Sequence, residues 1–173
     1  MERDLELEMA FPNLLPGEYN LKSPVDPTYN CLAFAADIDT KRLWPGKEYY
    51  PLYDWPRHLT NEDTIECVCE YFAAIGYKVC LRPSWWAYLF KILTLRDPSI
   101  FALERGFEKI AIYGIAKEPL HLSKQIPDGR WKSKLGYGRD IEHNTLKALE
   151  CQDYGKPVVI MKKRISNANN PTS

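Results

Sequence analysis

The sequence predicts a single α+β domain with an antiparallel sheet, and three observations support this fold class. Two early segments carry apolar residues at helical spacing, and later segments carry short alternating or continuous apolar runs that are typical of strands. Asp128-Gly129 lies between two of these runs, which indicates a β-hairpin. Hairpins separated from helices, with no repeated strand–helix–strand unit, are typical of α+β proteins.

Three helices are expected. The first begins near Asn30, a good N-cap residue, and carries Cys31 in its first turn. The second covers about residues 60–75, with Thr60 in a capping arrangement. The third covers residues 140–151, where apolar anchors recur along a polar segment.

Five strands complete the predicted domain, which covers residues 1–165 and is followed by a short disordered tail over 166–173. Residues 11–27 are rich in proline and are expected to form a loop that wraps over the core. The predicted strands are 77–81, 109–115, 120–126, 130–135 and 156–162.

The composition excludes several classes of protein. The formal net charge is zero, which leaves no electrostatic footprint for a nucleic-acid-binding protein. No apolar run approaches the roughly 20 residues of a transmembrane helix. The first six residues are acidic and unlike a secretory signal, and the five cysteines lack framework spacing. These features predict a cytoplasmic protein with reduced thiols.

Cys31 is the leading candidate for chemistry, as a nucleophile. A helix N-terminus lowers the pKa of a thiol and offers free N–H groups that can stabilise an oxyanion. Tyr29 and Asn30 directly precede it and are candidate binding residues. The alternative is that Cys31 fills the core, as most free cysteines do.

His121 is the best-placed partner, because it falls early in a predicted strand far along the chain from the thiol. His58 lies in a turn and is expected at the surface, and His143 is expected to be a structural histidine. The third member of a triad would be Asp140 or Ser133; Asp140 is also a plausible helix N-cap.

The register of the hairpin decides whether Ser133 can serve. A two-residue loop at Asp128-Gly129 would point Ser133 away from the face that carries His121, and one added loop residue would reverse this. The tighter turn is the expected one, and it disfavours Ser133.

Other sites are disfavoured. The cysteine spacing does not suit zinc, no glycine-rich phosphate loop is present, and no cofactor is expected. Residues 85–95 carry four aromatic side chains and almost no charge, so Trp85 and Trp86 could contact a partner protein; packing of this segment on the domain is the alternative.

Two stretches resemble a bacterial family that is known as a domain of unknown function. The second stretch includes Trp131, a further candidate binding residue. The stretches are Tyr29-Asn30-Cys31-Leu32-Ala33-Phe34-Ala35, and the segment from Gly106 through His121 and Pro127-Asp128-Gly129-Arg130-Trp131-Lys132-Ser133-Lys134-Leu135-Gly136 to Asp140-Ile141-Glu142-His143. Relative to that family, about residues 83–101 look like an inserted hydrophobic segment.

A looser similarity is to NlpC/P60 and papain-like cysteine hydrolases. They place a cysteine at a helix start and a histidine on a later strand, as Cys31 and His121 do here. Their third polar residue lies on the next strand, where Ser133 departs from the usual His, Asn or Asp. The similarity implies a papain-like fold and hydrolysis of peptide, isopeptide or side-chain amide bonds. The alternative function is a non-catalytic accessory or immunity-type protein that binds a partner through residues 85–95.

Overall fold

The computed structural model describes residues 3–49, 51–81 and 100–165. Within these residues the fold is α+β, as predicted, with a seven-stranded antiparallel sheet in the order β1-β6-β5-β4-β3-β7-β2. The strands are β1 Tyr19–Leu21, β2 Lys78–Leu81, β3 Phe107–Ile115, β4 Glu118–Gln125, β5 Trp131–Lys134, β6 Asp140–His143 and β7 Lys156–Arg164. The α-helices are α1 Leu5–Ala10, α2 Cys31–Ala35 and α3 Ile65–Ala74, and two 3₁₀ helices cover Lys47–Tyr49 and Leu146–Leu149.

The sheet separates two buried clusters, because successive side chains of a strand point to opposite faces. Ile110 and Ile112 of β3 face the first core, which α2 and α3 cover. Ala111 and Tyr113 face the second core, which the N-terminal residues and the 3₁₀ helix Leu146–Leu149 cover.

The predicted helix over residues 140–151 is wrong. Residues 140–143 form β6, which pairs with β5 on one side and β1 on the other. The side chains of Ile141 and Glu142 point to opposite faces of the sheet: Ile141 enters the second core, and the Glu142 carboxylate pairs with Lys22 at 3.2 Å and Arg130 at 3.0 Å. Pairing with two neighbouring strands outweighs the local helical pattern, which continues only as the 3₁₀ helix.

The second helix starts later than its sequence pattern predicts. Thr64 caps α3 by accepting a hydrogen bond from the backbone N–H of Cys67. Asp63 does not cap the helix; it accepts hydrogen bonds from Trp44 Nε1 at 3.0 Å and the Tyr49 hydroxyl at 2.9 Å. The N-terminal wrap also contains more regular structure than predicted, because β1 pairs with the edge of β6.

No α-helix in the described ranges is long and apolar enough to cross a bilayer.

Candidate functional site

Asn30 fixes the start of α2, as the sequence predicts. Its side-chain oxygen accepts from the backbone N–H of Ala33 at 3.2 Å and of Leu43 at 3.1 Å, and its amide donates to the Leu43 carbonyl at 2.8 Å. This buried amide therefore caps α2 and anchors residue 43 beside it. The thiol-bearing residue Cys31 follows directly, at the first position of the helix.

The Cys31 side chain lies in the first core and is only 5% exposed. Burial raises the pKa of its thiol to about 11, although the backbone N–H groups of Leu122 and Leu32 offset part of this effect. A helix of five residues supplies little dipole stabilisation against this desolvation. In this conformation the thiol is therefore neutral at pH 7.

His121 is fully buried on β4. Its ring stacks on Tyr154 with a centroid distance of 4.1 Å, and it meets the Tyr113 ring edge-on at 5.4 Å. Neither ring nitrogen has a hydrogen-bond partner among the described residues. Burial, with a smaller contribution from His143, lowers the pKa of this imidazole well below its usual value, so it is neutral at pH 7.

The thiol and the imidazole approach the same point of β4 from different sides. Leu122 points into the first core with Cys31, whereas His121, its neighbour, points to the opposite face with Tyr113. No hydrogen bond joins the thiol to the imidazole. Tyr154 stacks on His121, and burial raises the pKa of its hydroxyl.

Ser133 shares a face with His121, contrary to the expected register. Ser133 pairs with Ser123, and Ile126 with Arg130, so the hairpin loop is longer than two residues. Its hydroxyl nevertheless bonds elsewhere, to Ser123 Oγ at 2.6 Å and to His143 Nε2 at 3.0 Å.

His143 is the satisfied structural histidine that the sequence predicts, although it lies on β6 and not in a helix. Its Nδ1 lies 2.8 Å from the Thr145 carbonyl oxygen, and its Nε2 faces the Ser133 hydroxyl. The consistent assignment is that Nδ1 donates to the carbonyl while Nε2 accepts from the hydroxyl. Burial lowers the pKa of His143 to about 4.

Asp140 also lies away from His121 in the hydrogen-bond network. It is buried at the start of β6, where it accepts a hydrogen bond from the Tyr29 hydroxyl at 3.0 Å and lies 3.4 Å from Lys132 Nζ. Burial and this hydrogen bond raise the pKa of Tyr29 to about 12. Tyr29 and Asp140 thus join the loop before α2 to the sheet.

The remaining predicted site residues have varied positions. Trp131 is 2% exposed and belongs to the second core, which leaves little surface for a ligand. His58 is exposed, as predicted. Trp85, Trp86 and the aromatic segment 85–95 lie outside the described residues, as does most of the 83–101 insertion.

An exposed cation–aromatic cluster near α2 was not predicted from the sequence. The Arg42 guanidinium lies 5.6 Å from the ring centre of Tyr53 and 5.2 Å from that of Tyr137, and the two hydroxyls are 2.6 Å apart. These three residues form the Arg42 cluster: Arg42 and Tyr53 lie in the connection between α2 and α3, and Tyr137 lies in the β5–β6 loop, so no local pattern could indicate the cluster. No group of three or more potential metal ligands occurs in the described ranges.

Comparison with known proteins gives one match. The model of a domain of unknown function, DUF7689, matches residues 20–162. No curated protein and no solved structure matches the chain.

Proposed function

The chain belongs to the DUF7689 family of domains of unknown function, and we propose that it is a thiol-dependent hydrolase with Cys31 as nucleophile and His121 as general base. The substrate is an amide: a peptide, an isopeptide or a side-chain amide. The looser similarity of the Tyr29-Asn30-Cys31 segment and His121 to NlpC/P60 and papain-like hydrolases supports the same assignment.

One observation carries the proposal: the contrast between the two buried histidines. His143 uses both ring nitrogens in hydrogen bonds, as a structural histidine should. His121 is equally buried, yet both of its nitrogens lack a partner in the described ranges. Each unsatisfied polar atom costs about 1–3 kcal/mol of stability. An imidazole held at that cost, one residue along β4 from the contact with a thiol, fits a catalytic role.

The proposed reaction uses the groups in the protonation states that their burial favours. The Cys31 sulfur forms a bond to the carbonyl carbon while its proton passes to the neutral His121. The C–N bond then breaks, and His121 returns the proton to the leaving amine. Water adds to the thioester, with His121 as base, and releases the acid and the free thiol. The N–H groups of Leu32 and Leu122, which contact the sulfur, would stabilise the oxyanion.

This cycle requires a local shift in the register of β4, because the backbone directs His121 to the face of the sheet opposite Cys31 and side-chain rotation alone does not carry the ring through the sheet. Such a shift breaks no side-chain hydrogen bond of His121, because neither ring nitrogen has a partner in the described structure. The neutral imidazole is also the form that accepts a proton.

A second candidate is a non-catalytic binding protein of the accessory or immunity type. The burial of Cys31 and the absence of a thiol–imidazole hydrogen bond favour it. Its partner would be a protein that binds the aromatic segment 85–95.

Alkylation of the native protein by iodoacetamide separates the two candidates. A thiol with a pKa of about 11 is ionised to only about 0.01% at pH 7, against about 3% for an ordinary cysteine. Unassisted, Cys31 should react about 300-fold more slowly than free cysteine. The hydrolase predicts labelling at least as fast as free cysteine, with a large decrease in His121→Gln.

The exposed His58 supplies the matched control, since His58→Gln removes an imidazole without touching β4. Mass-spectrometric mapping after unfolding verifies that all five cysteines can be detected. If native Cys31 labels at the unassisted rate, equally in wild type and His121→Gln, the hydrolase assignment is overturned and the binding protein is supported.

A further inference from the structure

The Arg42 cluster lies at the same end of α2 as Cys31. Asn30 precedes the thiol-bearing residue and holds Leu43, the neighbour of Arg42, through two hydrogen bonds. The Arg42 carbonyl accepts from the N–H of Asp54 at 2.9 Å, which brings Tyr53 beside it. The buried amide of Asn30 therefore couples the position of this cluster to the start of α2.

The cluster presents a cation that the described protein does not neutralise. No carboxylate of the described ranges lies within ion-pair distance of the Arg42 guanidinium, whereas the adjacent Lys41 pairs with Asp54 at 3.2 Å. Arg42 is half-buried between two tyrosine rings, so its planar group is held in place while its polar edge stays available.

The two tyrosine hydroxyls complete a polar rim around this cation. A hydrogen bond with Tyr53 and a weaker effect of Arg42 lower the pKa of Tyr137, while burial and the bond with Tyr137 raise that of Tyr53 to about 12. One hydroxyl of this pair donates to the other, and the accepting hydroxyl keeps a hydrogen that can point outward to an acceptor.

We infer that Arg42, Tyr53 and Tyr137 form a carboxylate-binding subsite beside Cys31, so the hydrolase prefers amides that carry a carboxylate near the scissile bond. A fixed guanidinium pairs with two carboxylate oxygens at once, and a phenol hydroxyl adds a third donor. This inference rests on the proposed function and specifies its substrate class.

The test compares two alkylating agents of similar size, anionic iodoacetate and neutral iodoacetamide, at Cys31 of the full chain. The rate ratio of iodoacetate to iodoacetamide is divided by the same ratio for glutathione, which removes the intrinsic difference between the reagents. The subsite predicts a normalised ratio of about three to ten in wild type, in line with a partly exposed charge pair.

Variants assign the preference to the subsite. Arg42→Met should reduce the normalised ratio to about one, and Arg42→Lys should retain an intermediate value. Lys41→Met removes the same charge one residue away and should leave the ratio unchanged. Circular dichroism verifies that each variant is folded.

The outcomes separate the two proposals. A normalised ratio near one in wild type, or an equal decrease of that ratio in Lys41→Met and Arg42→Met, overturns the subsite. The hydrolase proposal is unaffected by either result if iodoacetamide still labels Cys31 rapidly. Absence of rapid Cys31 labelling by either reagent overturns both. If Arg42→Met is unfolded, the Arg42→Lys variant decides. A normalised ratio equal to that of wild type would overturn the subsite, because a lysine cannot pair with two carboxylate oxygens at once as the guanidinium does.

Discussion

Replacing His121 with phenylalanine should stabilise the protein and abolish its proposed activity. The neutral imidazole has one N–H donor and one acceptor nitrogen, and both are buried without a partner in the described structure. Removing two such groups gains about 2–6 kcal/mol from desolvation, and the larger ring costs about 1–3 kcal/mol in overpacking. The expected net effect is a stabilisation of about 1–3 kcal/mol, helped by the aromatic stack on Tyr154.

Chemical denaturation at pH 7 measures this change, and the m-value verifies that both proteins unfold in the same way. A gain of this size raises the Tm by about 2–4 °C per kcal/mol for a chain of this length. The matched variant His143→Phe should instead lose about 2–4 kcal/mol, because it leaves the Thr145 carbonyl without this donor and removes one of the two hydrogen bonds of the Ser133 hydroxyl. If His121→Phe destabilises the protein as much as His143→Phe does, His121 is not an unsatisfied group and the argument for its catalytic role is lost.

Three further changes follow from the buried polar groups and the tight turns. Stability should fall as the pH drops from about 6.5 to 4, because the unfolded chain binds protons that the buried His143 and His121 do not. His143, with its pKa of about 4, contributes about 3 kcal/mol to this loss, and His121 adds to it. Denaturation curves that show no loss of stability across this range would refute the prediction. Asn30→Ala should cost about 2–4 kcal/mol in urea denaturation, since it removes a helix cap and leaves buried backbone groups without their partner. Asn30→Asp keeps the accepting oxygen and should recover part of this loss; a stability equal to that of wild type would argue against a contribution from the amide donor. Gly155→Ala should prevent stable folding, because its φ is +68° and a Cβ would lie 2.4 Å from the Gly114 carbonyl oxygen. Gly17→Ala has open space at φ +85° and should cost only about 1 kcal/mol. Thermal melts that show the same loss of stability for both variants would refute this prediction.

The sequence predicts the long central strands of the sheet well. Residues of β3 and β7 form apolar runs bounded by charged residues, and the Asp128-Gly129 turn marks the β4–β5 hairpin. β6 could not be predicted, because Asp140 and the spacing after it fit a helix locally. Its strand conformation depends on two partners, β1 and β5, that are distant in sequence.

Only the features of the site that depend on neighbouring residues in the sequence could be predicted. The role of Asn30 as the cap before Cys31 is a local feature and is confirmed. The face on which His121 lies depends on strand alternation and on a bulge between Tyr113 and Gly114, which the sequence does not mark. The partners of Ser133 depend in turn on hairpin loop length, where one residue reverses every side chain.

The order of strands also limits how this chain can associate with copies of itself. Among the described residues both outer strands are short, with three residues in β1 and four in β2, while the nine-residue strands β3 and β7 lie inside the sheet. A short edge offers few unpaired backbone groups to a second molecule, and the exposed Lys78 places a charged side chain on β2 itself. The two edges formed by the described residues are therefore poorly suited to edge-to-edge addition of a second molecule.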